Sequence, residues 1–256
     1  MRLTNRLEIA TASNVGRVRH NNEDFHRAAV YPTPKGNLLV AGVADGMGGA
    51  EAGEIASKIT IDSFSEAVRA YAEHLSRHQR GVPLDRLVRK AFTLAQRRIR
   101  DYVYRHPNYQ GMGTTMTALV AFEKAREGFI GHIGDSRAYC YRDGELKLLT
   151  RDHSWVAQQV RLGRMTDWEA EEHPWRNMLT QALGVENAEF EITPVELLPG
   201  DVFIFATDGL YNLVPPEEWI VDLDQKDLES AVDYWTAQAV KRGGTDNITV
   251  VAVRIR

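Results

Sequence analysis

Three strand-like stretches follow one another between Thr114 and Thr150, and this succession constrains the fold more than any other feature of the chain. The three stretches are rich in apolar and β-branched residues and are joined by short connections; their sequences are TTMTALVAF, EGFIGHIG and RAYCYRDGELKLLT. Asp143-Gly144 lies between two alternating runs and is a strong hairpin signal. Short connections join antiparallel strands, so the three stretches are predicted to form one antiparallel sheet.

The remaining periodicities place helices between groups of strands. Strands are predicted at Leu7–Asn14 and Leu38–Ala44, and helices begin near Glu51 and Leu84. The chain continues with two more strands, one around Phe190 and one at DVFIFAT. A helix from about Asp227 to Arg242 and a last strand, NITVVAVRI, follow them. This order is not the strict alternation of a parallel α/β sheet, so antiparallel sheets with helices packed outside are expected.

Composition narrows the class of protein. The 256 residues, 43% of them hydrophobic, suffice for one domain spanning 1–256. The single cysteine favours a reducing compartment, so a cytoplasmic location is expected. No signal peptide or spanning segment is recognisable, so no membrane contact is expected. The net charge of −4 argues against a nucleic-acid partner. The basic helix 84–105 fits either a solvated face or a docking face for an acidic partner or nucleic acid.

Acidic residues recur near the ends of predicted strands. An Asp-Gly pair alone is typical of a turn. Asp45-Gly46 and Asp208-Gly209 differ because each follows an almost wholly apolar strand, which places a carboxylate at the rim of a core. If several such acids converge, their charges repel one another unless a multivalent cation holds them.

Oxygen donors without cysteine are the ligands of Mg²⁺ or Mn²⁺ rather than of zinc. Two such ions sharing an Asp bridge can hold a hydroxide and clamp a phosphoryl oxygen, which is a route to hydrolysis of phosphate esters. Arg19, four residues before Glu23, then fits the bidentate partner of a phosphate. Taken alone, Arg19 fits a solvated surface arginine equally well.

A series of motifs gives the chain a family resemblance. From about Asn14 to Val253 they run, in order, VGRVRHNNED, VADGMGG, GMGTTMTAL, IGDSRAYCYRDGEL, RDHSWV, LTQALG, PGDVFIFATDGLYNLV and GGTDNITVVAV. The chain resembles the PPM-type, or type 2C, metal-dependent serine/threonine protein phosphatases, in particular their bacterial members. The resemblance implies an α+β fold in which two antiparallel β-sheets form a central sandwich, with helices on both outer faces and a flap insertion at about 153–185.

The resemblance also implies the site residues. Asp45 would bridge two catalytic Mn²⁺ or Mg²⁺ ions, Asp208 and Asp246 would complete one of them, and Glu23 with the carbonyl of Gly46 would serve the other. The remaining roles are a third, weaker metal held by Asp135 with Asp208, phosphate binding by Arg19 and support of the Glu23 loop by Asp24. A hydroxide bridging the two metals would attack the phosphate directly.

Two positions depart from the family pattern. Met47 stands where many eukaryotic members have a histidine proposed as general acid, so the proton for the leaving group must come from elsewhere. Asn14 replaces an aspartate near the first motif.

The resemblance implies phosphoprotein substrates, the targets of a cognate serine/threonine kinase, and leaves the oligomeric state open. The alternative is a catalytically silent member that acts as a regulatory binding module. The flap, the segment at about 153–185, contains three tryptophans. They are expected either to select protein substrates or simply to pack the flap onto the sandwich.

Overall fold

Two antiparallel β-sheets form the centre of the protein, in a computed structural model that describes residues 7–49 and 51–256. The first sheet contains, in spatial order, β1 (Leu7–Asn14), β11 (Ile248–Ile255), β10 (Val202–Ala206), β7 (Arg137–Arg142) and β8 (Glu145–Leu148). The second contains β2 (Asp24–Tyr31), β3 (Leu38–Met47), β5 (Met116–Phe122), β6 (Glu127–Ile133) and β9 (Glu191–Glu196), with the two-residue β4 (Gly113–Thr114) paired to β3.

Helices cover the outer faces of both sheets. The second sheet is covered by α1 (Glu51–His78) and α2 (Leu84–Arg105), which a short 3₁₀ turn (Pro107–Tyr109) follows. The first sheet is covered by α5 (Asp208–Tyr211), α6 (Pro216–Gln225) and α7 (Leu228–Lys241). The flap holds α3 (Trp155–Arg161) and α4 (Asp167–Glu171). Among the described residues, no helix combines the length and apolar character needed to span a membrane.

Alternation along the strands separates the apolar layers. Leu39, Ala41 and Val43 of β3 pack between the two sheets, whereas Leu38 and Val40 pack against the helices outside the second sheet. A strand buried on both faces reads as a continuous apolar run, as β3 does. The predicted sandwich with helices on both outer faces is confirmed.

The prediction that the stretches between Thr114 and Thr150 form one sheet is wrong. β5 and β6 pair within the second sheet, whereas β7 and β8 belong to the first. Gly134 has a φ of +100°, and a Cβ there would lie 2.5 Å from the Thr115 side chain. Glycine permits this conformation, so the chain crosses between the sheets where a hairpin was expected. Asp135 lies on that crossover.

Other elements also differ from the sequence prediction. β3 continues through Met47, so Asp45-Gly46 lies within a strand and is not a turn. β2 is a strand that the sequence does not predict, because its half-buried residues show no clean alternation of apolar and polar side chains. α6 was likewise not predicted. The hairpin at Asp143-Gly144 and the helix following Asp227 are as predicted.

Candidate functional site

Two aspartates face each other across neighbouring strands of the second sheet. Asp24 begins β2 and lies directly opposite Asp45 of β3 in the antiparallel register. Asp24 is buried, and Asp45 keeps part of its surface accessible. Two carboxylates in this relation repel each other unless a proton or a cation neutralises them. This pair forms the centre of the candidate site.

The backbone of Asp45 is fixed by the adjoining segment. Its N–H donates to the Thr115 hydroxyl (2.9 Å), and its carbonyl accepts from the Thr115 N–H (2.8 Å) and the Thr114 hydroxyl (2.8 Å). The hydroxyls of Thr115 and Ser136 are 2.7 Å apart. Because Ser136 follows Asp135, this contact ties the crossover between the sheets to the strand that carries Asp45.

Glu23 and Gly46 lie side by side next to the start of α1. The Gly46 N–H donates to the Glu23 carbonyl (3.0 Å). A Cβ at Gly53 would lie 2.4 Å from Glu23 Oε2, and a Cβ at Gly46 would lie 2.0 Å from the Gly53 carbonyl oxygen. Both glycines therefore permit the close approach of α1 to the site. Burial raises the pKa of the Glu23 carboxyl above its usual range.

The loop that precedes Glu23 is anchored to the segment that carries Asp246. The Asn247 side chain accepts a hydrogen bond from the Glu23 N–H (2.8 Å). Its amide group also donates to the carbonyls of Val15 (3.0 Å) and Asn21 (2.9 Å). Asn247 thus joins two acids that lie at opposite ends of the chain.

Thr207 connects Asp208 to the same centre. Its hydroxyl donates to Asp24 Oδ2 (2.8 Å) and accepts from the Thr249 N–H (3.0 Å). Asp208 follows it as the first residue of α5. The buried Asp24 therefore holds the start of α5 against the second sheet, whereas its predicted support of the Glu23 loop stays a prediction.

Asp135 is fixed through its backbone. The Tyr211 hydroxyl donates to the Asp135 carbonyl (3.0 Å), and the guanidinium of Arg137 lies 4.0 Å from the centre of the Tyr211 ring. Arg137 forms a bidentate ion pair with Asp152, with contacts of 3.0 and 2.8 Å. An aromatic ring and an ion pair thus hold the crossover next to α5.

Arg19 lies at the exposed rim of the cluster. Its Nη2 is 2.7 Å from Asp246 Oδ2, and the side chain is 52% exposed. The hydrogen bond with Asp246 raises the pKa of Arg19. An exposed guanidinium with donors remaining is suited to bind a phosphate or carboxylate that reaches the site from solvent.

The acids raise one another's pKa values. Burial raises the pKa of Asp135 to about 8, of Asp24 to about 7 and of Asp208 to about 6. Burial raises the pKa of Asp45 well above its usual range, and the charges of Asp24, Asp208, Asp135 and Asp246 raise it further. Without a cation, the cluster therefore retains protons near neutral pH that the unfolded chain would release, and a divalent cation can replace them.

Two buried carboxylate oxygens, Asp24 Oδ1 and Asp208 Oδ1, have no hydrogen-bond partner among the described residues. Unpaired buried polar atoms are costly, and an all-oxygen set of donors is suited to Mg²⁺ or Mn²⁺. In the described ranges, 7–49 and 51–256, no three acidic, histidine or cysteine side chains already form a metal-binding cluster. The chemistry of the donors thus fits a divalent cation, and the side chains would have to rotate to bind one.

Several supporting residues were not identified from the sequence. Thr207, Tyr211 and Asn247 each lie within three residues of a predicted ligand. Proximity in sequence was thus the available signal, but their roles depend on contacts between segments that are distant in sequence. The sequence gives no indication that Arg137 would lie over the ring of Tyr211.

The flap combines internal packing with exposed aromatic surface. The rings of Trp155 and Trp175 meet edge to face with centroids 5.0 Å apart. Trp175 remains 54% exposed and Trp168 71% exposed. A capping box between Thr166 and Glu169 stabilises the start of α4. Packing explains Trp155 and part of Trp175, whereas Trp168 is free to contact other molecules.

The family model described as "Protein phosphatase 2C" matches residues 17–247. Serine/threonine protein phosphatase PstP of Mycobacterium tuberculosis (strain CDC 1551 / Oshkosh) is 36% identical over 254 residues, covering 99% of this chain and 46% of PstP. Serine/threonine phosphatase stp of Listeria welshimeri serovar 6b is 34% identical over 240 residues, covering 93% of this chain and 92% of that protein.

A solved structure extends these similarities to three dimensions. The crystal structure of the catalytic domain of PstP in complex with two manganese ions has a TM-score of 0.82 at 32% identity and covers 98% of both chains. This chain spans about half the length of PstP but nearly the whole length of the Listeria protein.

Proposed function

Because this chain belongs to the protein phosphatase 2C family, we propose that residues 1–256 form a single metal-dependent phosphatase domain that hydrolyses phosphoserine and phosphothreonine in proteins. The observation that carries the proposal is the meeting of acids from separate segments at one largely buried centre, with Arg19 at its rim. The relatives named as serine/threonine phosphatases support this substrate class.

The residues proposed to hold two Mn²⁺ or Mg²⁺ ions are those predicted from the sequence. Asp45 would contact both ions, Asp208 and Asp246 would complete one, and Glu23 with the Gly46 carbonyl would serve the other. Support comes from the mutual effect of these acids on the Asp45 pKa and from the contact between Glu23 and Gly46. The two manganese ions named in the PstP complex support the same number here.

A third, weaker cation site is proposed at Asp135 and Asp208. The negative charge of Asp208 raises the pKa of Asp135, after burial, so the two carboxyls are close enough to interact. The bond from the Tyr211 hydroxyl fixes the Asp135 backbone and leaves its carboxylate free to bind an ion.

If bound, the ions would supply Lewis-acid polarisation of the phosphoryl oxygens and would lower the pKa of water, so that hydroxide could attack phosphorus directly. Arg19 binds the non-bridging oxygens of the phosphate and turns the ester toward Asp45. Its contact with Asp246 uses Nη2 alone, so its other N–H groups remain available for the phosphate.

The leaving serine or threonine oxygen needs a proton as its bond to phosphorus breaks. Met47 has a thioether that cannot supply one, and its side chain lies against Gly113, where a Cβ would be 2.6 Å from Met47 Cε. Water in the open site is therefore proposed as the proton donor. The products are inorganic phosphate and the free hydroxyl of the protein substrate.

Phosphate release from an aryl phosphate and from a phosphoserine peptide tests the proposal. The protein is first treated with a chelator, and Mn²⁺ is then added. Asp45→Asn should reduce turnover of both substrates at least about 100-fold, because it removes the residue proposed to contact both ions. Asp143→Asn, the same change of charge in an exposed hairpin turn, serves as the matched control.

The catalytically silent alternative predicts a different result. A regulatory binding module would bind phosphopeptide without releasing phosphate, whatever the Mn²⁺ concentration. Turnover by the unmodified protein that persists in Asp143→Asn and is lost in Asp45→Asn would exclude that alternative. Equal turnover in all three proteins would refute the assignment of Asp45.

The phosphoprotein targets of a cognate serine/threonine kinase are proposed as substrates. A cytoplasmic location is proposed from the buried, free thiol of Cys140. Phosphoproteomes of cells with and without the active protein would identify the substrates.

A further inference from the structure

Helix α2 presents a row of exposed cations to solvent. We call this row, formed by Arg86, Arg89, Lys90, Arg97 and Arg100, the basic face. The opposite side of α2 packs its apolar residues against the second sheet and α1. From Arg86 to Arg100 the row extends about 21 Å, at 1.5 Å per residue.

The charges of the basic face are not neutralised within the protein. In the part of the chain that the structure describes, no member of the face lies in an ion pair, whereas the neighbouring Arg98 contacts Glu66 at 2.6 Å. Residues 84–105 carry a formal charge of +5, so the rest of the chain carries −9. Like charges three or four residues apart destabilise a helix. The face therefore concentrates repelling cations on a protein that is otherwise acidic.

The cations border a groove. A shallow surface depression of about 600 Å³ runs along α2, and its lining consists of one acid (Asp85), two uncharged residues (Thr93 and Leu94) and four cations of the basic face (Arg86, Arg89, Lys90 and Arg97). Arg89 is held with its guanidinium 5.6 Å from the centre of the Phe190 ring. Four cations against a single acid in this lining fit a peptide that carries carboxylates, and the aliphatic stems of the arginine and lysine side chains can pack against it.

The basic face adjoins the end of the flap. Gln96, in the middle of α2, donates to the Val185 carbonyl (2.7 Å) and accepts from the Gly184 N–H (2.7 Å). Gly184 in turn lies against the backbone of Met112 and Gly113, next to the strand that carries Asp45. The basic face therefore lies beside the segment through which the chain leaves the flap.

We propose that the basic face docks an acidic segment of the phosphoprotein substrate, an inference that rests on the proposed function and adds a substrate class to it. About seven residues of extended peptide match the length of the face, at about 3.3 Å per residue. A nucleic acid would extend beyond the face and meet the acidic remainder of the protein, so the charge distribution favours a short acidic peptide.

Direct binding tests the proposal without relying on turnover. The probe is a dye-labelled, unphosphorylated peptide with about seven consecutive glutamates, and the reference peptide has glutamines instead. Fluorescence anisotropy is measured with the full chain at low and at physiological salt. The test variant is Arg86→Glu, Lys90→Glu and Arg97→Glu combined. Its matched control reverses Arg77, Arg80 and Lys147, which are exposed cations on other surfaces without ion pairs among the described residues.

The unmodified protein should bind the glutamate peptide at least about tenfold more tightly than the glutamine peptide, with weaker binding at higher salt. The α2 variant should lose this preference and the control variant should keep it. Hydrolysis of a small aryl phosphate should be unchanged in both variants.

Equal binding of the two peptides, or equal loss of binding in both variants, would overturn the proposal. Tighter binding of an RNA or DNA oligonucleotide at the same residues would also overturn it. Absence of aryl phosphate hydrolysis in the unmodified protein would instead refute the proposed function.

Discussion

Replacing Asp208 with asparagine should stabilise the metal-free protein at alkaline pH. Burial, and after it the charge of Asp246, raises the pKa of Asp208 from 3.8 to about 6. The folded state therefore holds this proton more tightly than the unfolded chain does. Protonation stabilises the fold fully below pH 3.8, and that stability is lost as the pH rises through about 6.

The size of the effect follows from the pKa change. The difference between a pKa of 3.8 in the unfolded chain and about 6 in the folded state corresponds to about 3 kcal/mol of unfolding free energy. Because the Asp208 side chain keeps some contact with solvent, about 1–2 kcal/mol is expected. Asparagine carries no charge, so the unfolding free energy of the variant should exceed that of the unmodified protein by this amount at about pH 8 and by roughly half as much at about pH 5.

Saturating Mn²⁺ should reverse the order of stability. A ligand at 100 times its Kd stabilises the folded state by about 2.7 kcal/mol, and the variant lacks one proposed donor. Urea denaturation in chelator and in Mn²⁺, at both pH values, measures these differences, and Asp143→Asn controls for the change of charge. Equal destabilisation of Asp208→Asn at both pH values in chelator would refute the account of charge repulsion.

Three further substitutions test other parts of the site. Arg19→Ala should raise KM and weaken inhibition by inorganic phosphate about tenfold or more, as measured by steady-state kinetics. If the variant instead lost Mn²⁺ affinity and kept its KM, the role of Arg19 in phosphate binding would be contradicted. Gly53→Ala places a Cβ 2.4 Å from Glu23 Oε2 and should lower Mn²⁺ affinity in calorimetry, whereas unchanged affinity would remove Glu23 from the site. Trp175→Ala should lower kcat/KM for phosphoproteins several-fold more than for an aryl phosphate; a parallel fall with lost stability would make the flap tryptophan purely structural.

The order of most elements could be predicted because burial leaves a periodic trace in sequence. The apolar run of β3 and the helical spacing of α1 and α2 are direct consequences of the layers they occupy. The assignment of strands to sheets was not predictable in the same way. β6 and β7 are separated by three residues, and only the left-handed Gly134 directs the chain into the other sheet.

In the candidate site, too, local sequence predicts some features, whereas others depend on contacts between distant segments. The family motifs predict Asp45, Asp208 and Asp246 as ligands because these acids stand in distinctive local sequences. The position of Asp24 opposite Asp45 depends on strand register, and β2 has no clear alternation from which to derive a register. The pairing of Arg19 with Asp246 joins the two ends of the chain and has no local signal.

The joint dependence of Mn²⁺ binding and phosphate release on Asp45 tests the central claim most directly. Chelator-treated protein is titrated with Mn²⁺, and bound metal and release of phosphate from a phosphoserine peptide are measured in the same samples. Phosphate release should be absent in chelator and should rise with bound Mn²⁺, and Asp45→Asn should lower both together. Full release in excess chelator, or Asp45→Asn with unchanged metal binding and turnover, would contradict the account.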